Sequence, residues 1–217
     1  MHSAPAEPTI DAVDRAMMER CIALAMRAMD LGEYPYAAVI CREGMVICES
    51  TSSAAHEHNV THHAEVVAIS EVLRRLNRVS LEDCTIYANA EPCALCCYAM
   101  RETRIGRVVF GVPAPLTGGV TRWNILTDTK LSNVLPEVFA PPPEIVPGFM
   151  REEIESAIDR LPSEDFRRLV EWLREREQQR WDARIDSDSA TGKLDFLFEE
   201  ASAEHNKGTL RDWPPSS

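Results

Sequence analysis

A chain of 217 residues with 45% hydrophobic and 27% charged side chains has the composition of a folded protein with a real core, not of a disordered or fibrous one. The formal charge of −12 divides evenly: 18 acidic and 12 basic side chains lie in residues 1–150, and 17 and 11 in residues 151–217. Neither part has the clustered positive charge that holds phosphate-rich partners, so nucleic acid is not an expected partner, and no apolar run reaches the roughly 18–20 residues that cross a bilayer.

The opening "MHSAPAEPTIDAVDR" lacks the basic start and apolar stretch of a signal peptide, and the expected location is cytoplasmic. Residues 1–10 read as a flexible N-terminus. Asp11–Leu31 follows as a helix, because Met17, Cys21, Leu24, Ala28 and Leu31 recur at helical spacing and Gly32 stands where a C-terminal cap is expected. "YPYAAVIC" and "MVICES", separated by "REG", read as a hairpin. Ala64–Leu76 is a second helix with Val67, Leu73 and Leu76 apolar. "CTIYANA" is then a strand, Cys93–Glu102 a helix and "GRVVFGV" a strand. The order β-β-α-β-α-β predicts a sheet layered against helices. Residues 112–147 are loop-rich, with "PEIV" as a short final strand and Phe149–Ile158 as a helix.

Around "DRLPSED" the character changes. Ser163 is placed to cap a highly charged helix whose narrow apolar stripe is Phe166, Leu169, Val170 and Leu173 and which ends near Trp181. A polar break, "DSDSATG", precedes "KLDFLFEEA" and a tail ending in "DWPPSS". The expected organisation is the flexible start, a domain over residues 11–155 and a helical extension over residues 156–217.

The chemistry concentrates in two stretches, "THHAEVVAIS" and "AEPCALCC". Seven cysteines, three of them at Cys93, Cys96 and Cys97, favour metal binding or reduced thiols over a disulfide framework in a cytosolic chain. Cys21, Cys41, Cys48 and Cys84 lie in apolar contexts and read as core. Pro92 suits the first position of a helix, so Cys93 and Cys96 are expected to project from its first turn, where the dipole favours thiolates. His63 and Glu65 stand near the start of their own helix. Sulfur with imidazole suits Zn²⁺ rather than Mg²⁺ or Ca²⁺. Spacing leaves alternatives open, since Cys93 also shares a face with Cys97, and His62 with Glu65. Cys96 and Cys97 diverge by about 100° around a helix, so three protein ligands plus water fit better than a closed four-residue site.

"HAE" followed by "EPCALC" matches the H-x-E…P-C-x-x-C signature of zinc nucleobase deaminases. The match resembles the cytidine deaminase-like branch that holds guanine deaminases, cytosine deaminases and tRNA adenosine deaminases, and it runs through "EYPYAAVI", "RIGRVVFG" and "TGG" over roughly residues 12–150. The resemblance implies a three-layer α-β-α fold with a mixed central sheet of about five strands. It also implies one Zn²⁺ per chain on His63, Cys93 and Cys96, with Glu65 shuttling protons as zinc-bound hydroxide displaces ammonia. It assigns substrate contacts to the Ala64 amide, Ser52, Tyr36 and Trp123, and at least a homodimer.

Three departures bear on substrate choice. Ser52, eleven residues before His63, replaces the Asn usual in these relatives and offers fewer simultaneous contacts than an amide. Tyr98 stands where they have Gly, and Tyr36 and Ala37 where small residues are common. His56, His58 and His62 read as loop or cap residues rather than ligands, with His62 near enough to influence the mouth of the pocket. Trp123 and Phe139 lie in the segment that often covers the pocket in this family, and the alternatives for each are ordinary packing, the plainer reading, and stacking on the substrate.

Residues from about 155 onward resemble small bacterial antitoxin-type proteins, in which a helix is followed by an arm that wraps a toxin. The plainer reading is a helical brace for the domain or its oligomer, with Trp181 and Trp213 as anchors in either case. The leading expectation is a zinc-dependent hydrolytic deaminase of a free nucleobase or nucleoside with a guanine-type or cytosine-type amino group. The alternatives are a tRNA adenosine deaminase, or a deaminase-like scaffold whose C-terminal arm binds a toxin protein. Retention of Glu65 speaks against a scaffold as the only role, because zinc-dependent folding needs only the ligands.

Overall fold

The computed structural model of the chain describes residues 9–160 and, beyond them, residues 185, 187–196, 199, 202 and 206. In the first stretch, helix α1 (Ala12–Asp30) leads into a hairpin of β1 (Ala37–Arg42) and β2 (Met45–Thr51), then α2 (Ala64–Leu76), β3 (Thr85–Ala90), α3 (Ala94–Glu102) and β4 (Arg107–Val112). A short α4 (Thr129–Val134), β5 (Glu144–Val146) and α5 (Arg151–Asp159) complete it.

The five strands make one mixed sheet in the order β2-β1-β3-β4-β5. β1 is antiparallel to both of its neighbours, while β3, β4 and β5 run parallel. Alternation along the strands feeds two cores. Ala38, Ile40, Ile86, Ala88, Val108 and Phe110 pack with Ala68, Val72 and Met100 of α2 and α3. Val39, Cys41, Tyr87, Val109 and Val146 pack on the other face with Met18, Cys21 and Ile154 of α1 and α5. A central strand covered on both faces has no solvent side, and β1 accordingly reads "AAVIC" without a polar residue. The architecture is the expected three-layer α-β-α sandwich with a mixed sheet of five strands.

Local chemistry accounts for the boundaries. The Asp11 carboxylate accepts the N–H groups of Val13 and Asp14 at 2.8 and 2.9 Å, and Asp14 accepts the Asp11 N–H at 3.0 Å, a closed capping box at the start of α1. Gly32, with φ +79°, turns the chain away after Leu31. Glu43 and Gly44 both have positive φ, 52° and 76°, the two-residue turn whose twist matches the paired strands.

One expectation is corrected. Pro92 is not the first helical residue, and Cys93 does not lie in the first turn. Cys93 is the N-cap, with extended backbone (φ −73°, ψ 175°), and α3 begins at Ala94. The Pro92 carbonyl accepts the Gly119 N–H at 2.8 Å and Cys93 forms an isolated antiparallel bridge with Gly118, so this backbone is committed to a pairing that helical dihedrals would break.

The chain divides into two compact units after residue 161. In the second, the Lys193 ammonium meets Asp188 Oδ1 at 2.7 Å across a turn that places Gly192 at φ +75°. The capping Ser163, the stripe from Phe166 to Leu173, and Trp181 and Trp213 lie outside the described residues. No helix of the described residues is long and apolar enough to cross a membrane.

Candidate metal centre

The parallel run β3-α3-β4 brings the start of α3 to the end of the sheet where α2 also begins, and there the two half-motifs meet. His63 is the N-cap of α2 (φ −69°, ψ 149°), as Cys93 is of α3, so both side chains leave backbone that has not yet entered a helix. Cys93 Sγ lies 3.3 Å from His63 Nδ1, Cys96 Sγ lies 3.4 Å from the same nitrogen, and the two sulfurs are 3.6 Å apart. Zn–S bonds of about 2.3 Å and Zn–N bonds of about 2.0–2.1 Å at tetrahedral angles require edges of about 3.8 Å between sulfurs and about 3.5 Å from sulfur to nitrogen. The three donor atoms therefore fit three corners of a zinc tetrahedron. Among the described residues this is the one group of three potential ligands gathered within 4.8 Å.

Charge at the centre is polarised. Contact with the Cys96 sulfur and, against burial, with the His63 ring pulls the Cys93 thiol down to about 4, while contact with Cys93 and burial push Cys96 up. Glu65 is 8% exposed, and its Oε2 accepts from Cys96 Sγ at 3.4 Å. Burial pushes its carboxyl up, toward the range in which it can hold a proton.

The neighbours with ligand chemistry point elsewhere. Cys97 Sγ donates to the Pro92 carbonyl at 3.3 Å and is fully buried. His62 Nδ1 pairs with Glu57 Oε2 at 2.6 Å. His56 Nδ1 lies 3.4 Å from Glu33 Oε2, and His58 takes a positive φ of 50° in the same loop.

Of the residues expected to contact substrate, Ala64 is the first residue of α2 and buried, with its N–H at the open end of that helix. Ser52 and Tyr36 are joined by a backbone hydrogen bond of 2.9 Å from the Ser52 N–H to the Tyr36 carbonyl. The Ser52 hydroxyl is 3.5 Å from the His62 carbonyl and 3.4 Å from the Ala54 N–H, both long contacts. Trp123 is 55% exposed, with the Arg122 guanidinium 5.2 Å from its ring centroid. Phe139 takes the ordinary-packing alternative: it is 1% exposed and meets the Tyr98 ring edge-on at 5.2 Å, so it packs in the protein.

The residues that place the loops around the centre were not singled out from the sequence. Glu33 accepts the N–H groups of Ala55 and His56 at 3.3 and 3.1 Å. Asn89 accepts the Ala37 N–H and donates to the Pro35 carbonyl, both at 2.9 Å. Glu91 gathers donors from residues 114–121. Arg101 is 1% exposed, yet it donates to the carbonyls of Ile125, Leu126, Asp128 and Ala140 and to the Ser132 hydroxyl. Each is a charged or polar residue whose burial only the structure shows, so no sequence signal marked them.

Residues 11–112 match the family described as the cytidine and deoxycytidylate deaminase zinc-binding region. The tRNA-specific adenosine deaminase of Aquifex aeolicus is 40% identical over 110 residues, covering 50% of this chain and 73% of that protein. A solved structure from studies of A-to-I editing by tRNA:A34 deaminases at the wobble position of transfer RNA superposes with a TM-score of 0.59 at 24% identity, over 66% of this chain and 99% of that one. The guanine deaminase of Nitrosomonas europaea superposes with a TM-score of 0.55 at 18% identity, over 70% of this chain and 86% of that one. Below 25% identity these two likenesses speak to the fold.

Proposed function

The chain belongs to the cytidine and deoxycytidylate deaminase family of zinc-dependent hydrolytic deaminases, and on that premise we propose that it removes the exocyclic amino group of a free nucleobase or nucleoside, of guanine or cytosine type. The observation that carries the choice of a small substrate is electrostatic. Residues 1–150 hold 18 acidic and 12 basic side chains. Their arginines are largely engaged: Arg20 with Glu49, Arg74 and Arg75 with Glu71, Arg78 with Asp83, Arg104 with Glu82, and Arg107 with Asp14. A polyanion is held by basic side chains free to replace its counterions, and paired arginines serve that poorly.

In this reading His63, Cys93 and Cys96 hold the zinc. Bound zinc supplies Lewis acidity, lowering the pKa of water held there from about 15.7 to about 7 so that a nucleophile exists at neutral pH. The Glu65 carboxylate would take a proton from the attacking water and deliver it to a ring nitrogen of the base, which makes the amine-bearing carbon electrophilic. Once the water oxygen has bonded to that carbon, Glu65 takes the second proton from the added hydroxyl and passes it to the amine, so that the C–N bond breaks, ammonia leaves and the C–O bond becomes a carbonyl. Water and an amine become a carbonyl and ammonia, with no change of oxidation state. The Ala64 N–H, at the start of α2, is the donor assigned to a carbonyl of the base, and Ser52, Tyr36 and Trp123 are assigned to the pocket around it. Leu95 and Tyr98, exposed one turn apart on α3, give the expected homodimer an apolar surface.

A second reading, deamination of a wobble adenosine in tRNA, is favoured by the 40% identity to a tRNA-specific adenosine deaminase. Ammonia release from a panel of free bases, nucleosides and a tRNA anticodon stem separates the two. Turnover of guanine, cytosine or their nucleosides is the expected result. Turnover of the anticodon stem alone replaces the first reading by the second, and turnover of nothing rejects both.

A further inference from the structure

Glu91 stands two residues before Cys93, is 5% exposed, and among the described residues its carboxylate is met by four donors. The N–H groups of Val120 and Thr121 reach Oε1 at 3.0 and 2.7 Å, and the Ala114 N–H and the Thr121 hydroxyl reach Oε2 at 2.8 and 3.0 Å. A carboxylate offers about four lone-pair sites, and all are taken. Every donor comes from the single loop 114–121. Bonds to a charged acceptor are about twice as strong as neutral ones, so this one side chain outweighs the loop's other attachments.

Those other attachments are few. The loop has no helix or strand of its own, and Leu116 is 73% exposed. Val120 packs against the core, and Gly118 and Gly119 touch the backbone of Cys93 and Pro92. Gly118 is without a side chain where the Glu91 carboxylate needs the room: a Cβ there would lie 2.1 Å from Oε1. The Gly118 carbonyl in turn accepts the N–H groups of Arg122 and Trp123 at 3.1 and 3.2 Å. The position of Trp123 thus follows from that of Gly118, and the position of Gly118 from Glu91.

We propose that Glu91 is a positioning residue for substrate choice. It ties residues 114–121 to the metal-bearing end of α3, and so sets the segment that carries Trp123 as one wall of the substrate site, while touching neither metal nor substrate. This role rests on the deaminase reading of the site. A glutamine in its place keeps the shape but turns an NH₂ toward two of the four donors, leaving them unsatisfied in a buried setting.

The test uses the full zinc-loaded chain with Glu91→Gln and, as a milder change, Thr121→Val, which deletes one of the four bonds. In Glu91→Gln the amides of Ala114, Val120 and Thr121 should exchange hydrogen at least about tenfold faster, with zinc still at one per chain. The ratio of kcat/KM between two substrates should change by about tenfold, carried by KM more than by kcat, and Thr121→Val should move it the same way by about twofold to fivefold. Loss of zinc in both variants, or an equal fall in kcat on every substrate with KM unchanged, makes Glu91 a brace of the fold and overturns the proposal. Unchanged exchange or unchanged discrimination also overturns it. A wild-type chain that releases ammonia from no member of the panel fails at the deaminase reading instead and takes the specificity role with it.

Discussion

Cys93 Sγ and His63 Nδ1 lie 3.3 Å apart although 30 residues separate them in the chain. Two N-caps produce this meeting. Each residue closes an extended segment just before a helix, and the two helices begin at the same end of one sheet. The contact uses Nδ1, so the imidazole presents to the metal the nitrogen nearer its backbone.

Metal removal tests that geometry. A chelator that strips zinc should abolish ammonia release, and added zinc should restore it. Cys96→Ala should lower zinc content to about a tenth of one per chain, because three-ligand sites depend on each donor. Because metal binds the folded state, its loss should also lower Tm. Metal content by atomic absorption and a melting curve read both, and full zinc occupancy in Cys96→Ala would remove that residue from the ligand set.

Glu65 separates binding from chemistry. Glu65→Gln should keep its zinc and lose kcat by about 10²–10⁴-fold, the usual contribution of a positioned acid/base group. The comparison to make is kcat against metal content in the same preparation. Turnover within a few-fold of wild type would leave the proton shuttle to another residue.

Asp14 governs stability from the far face of the sheet. Burial pushes its carboxyl up, but hydrogen bonds from Arg107, the Asp11 N–H and the Tyr87 hydroxyl, the last at 2.8 Å, outweigh this and hold it below its usual value of 3.8. A carboxyl whose folded value is depressed adds stability that is fully present above its unfolded value and is lost as pH falls through the lower folded one. Asp14→Asn should therefore cost about 1.5–3 kcal/mol near neutral pH, the loss of hydrogen bonds to a charged acceptor while Arg107 keeps the more exposed Glu144 at 3.2 Å, and less below about pH 3. Urea titrations at the two pH values measure the difference, and an equal loss at both would exclude the ionised carboxylate as the source.

Gly119 lies against the start of α3 with no room for a side chain. A Cβ there would stand 2.2 Å from Cys97 Sγ, 2.7 Å from Cys97 Cβ and 3.2 Å from the Cys93 carbonyl oxygen. Gly119→Ala must therefore push the loop away from the start of α3 or shift the helix, at a cost of about 1–3 kcal/mol for overpacking a buried contact. A lower Tm with weaker zinc retention during dialysis is the expected outcome, and an unchanged Tm would show that the loop yields freely.

Glu33, between α1 and β1, holds the loop before His63 through Ala55 and His56. Burial raises its carboxyl, and hydrogen bonds from the Tyr34, His56 and Ala55 N–H groups and the His56 ring bring it below its usual value of 4.5. Glu33→Gln should loosen residues 54–56, read as faster amide exchange at Ala55 and His56 above pH 5, with the difference shrinking as acid protonates the wild-type carboxyl. Equal exchange in the two proteins throughout would show that the loop is held by its other contacts.

Periodicity and turn chemistry are local properties, and they carried the order of elements and most boundaries. Ala64–Leu76 spans a helix as expected, and the first strand pair, β3, β4 and the short "EIV" strand fall where alternation and punctuation placed them. The pairing of "HAE" with "PCALC" carried the metal chemistry, since a ligand set is written in residue types and short spacings. Spacing alone left Cys97 beside Cys93 as an equal candidate and put Pro92 inside the helix. Tertiary structure decided both, because the pairing of Pro92 and Cys93 with Gly118 and Gly119 moves the helix start past Cys93 and turns Cys97 to a carbonyl. Strand order and the roles of Glu33, Glu91 and Arg101 were also decided only in three dimensions. Most of their partners are backbone N–H and C=O groups of distant loops. Those groups are the same at every residue, so the bonds that hold the walls of the site leave no mark in the sequence that forms them.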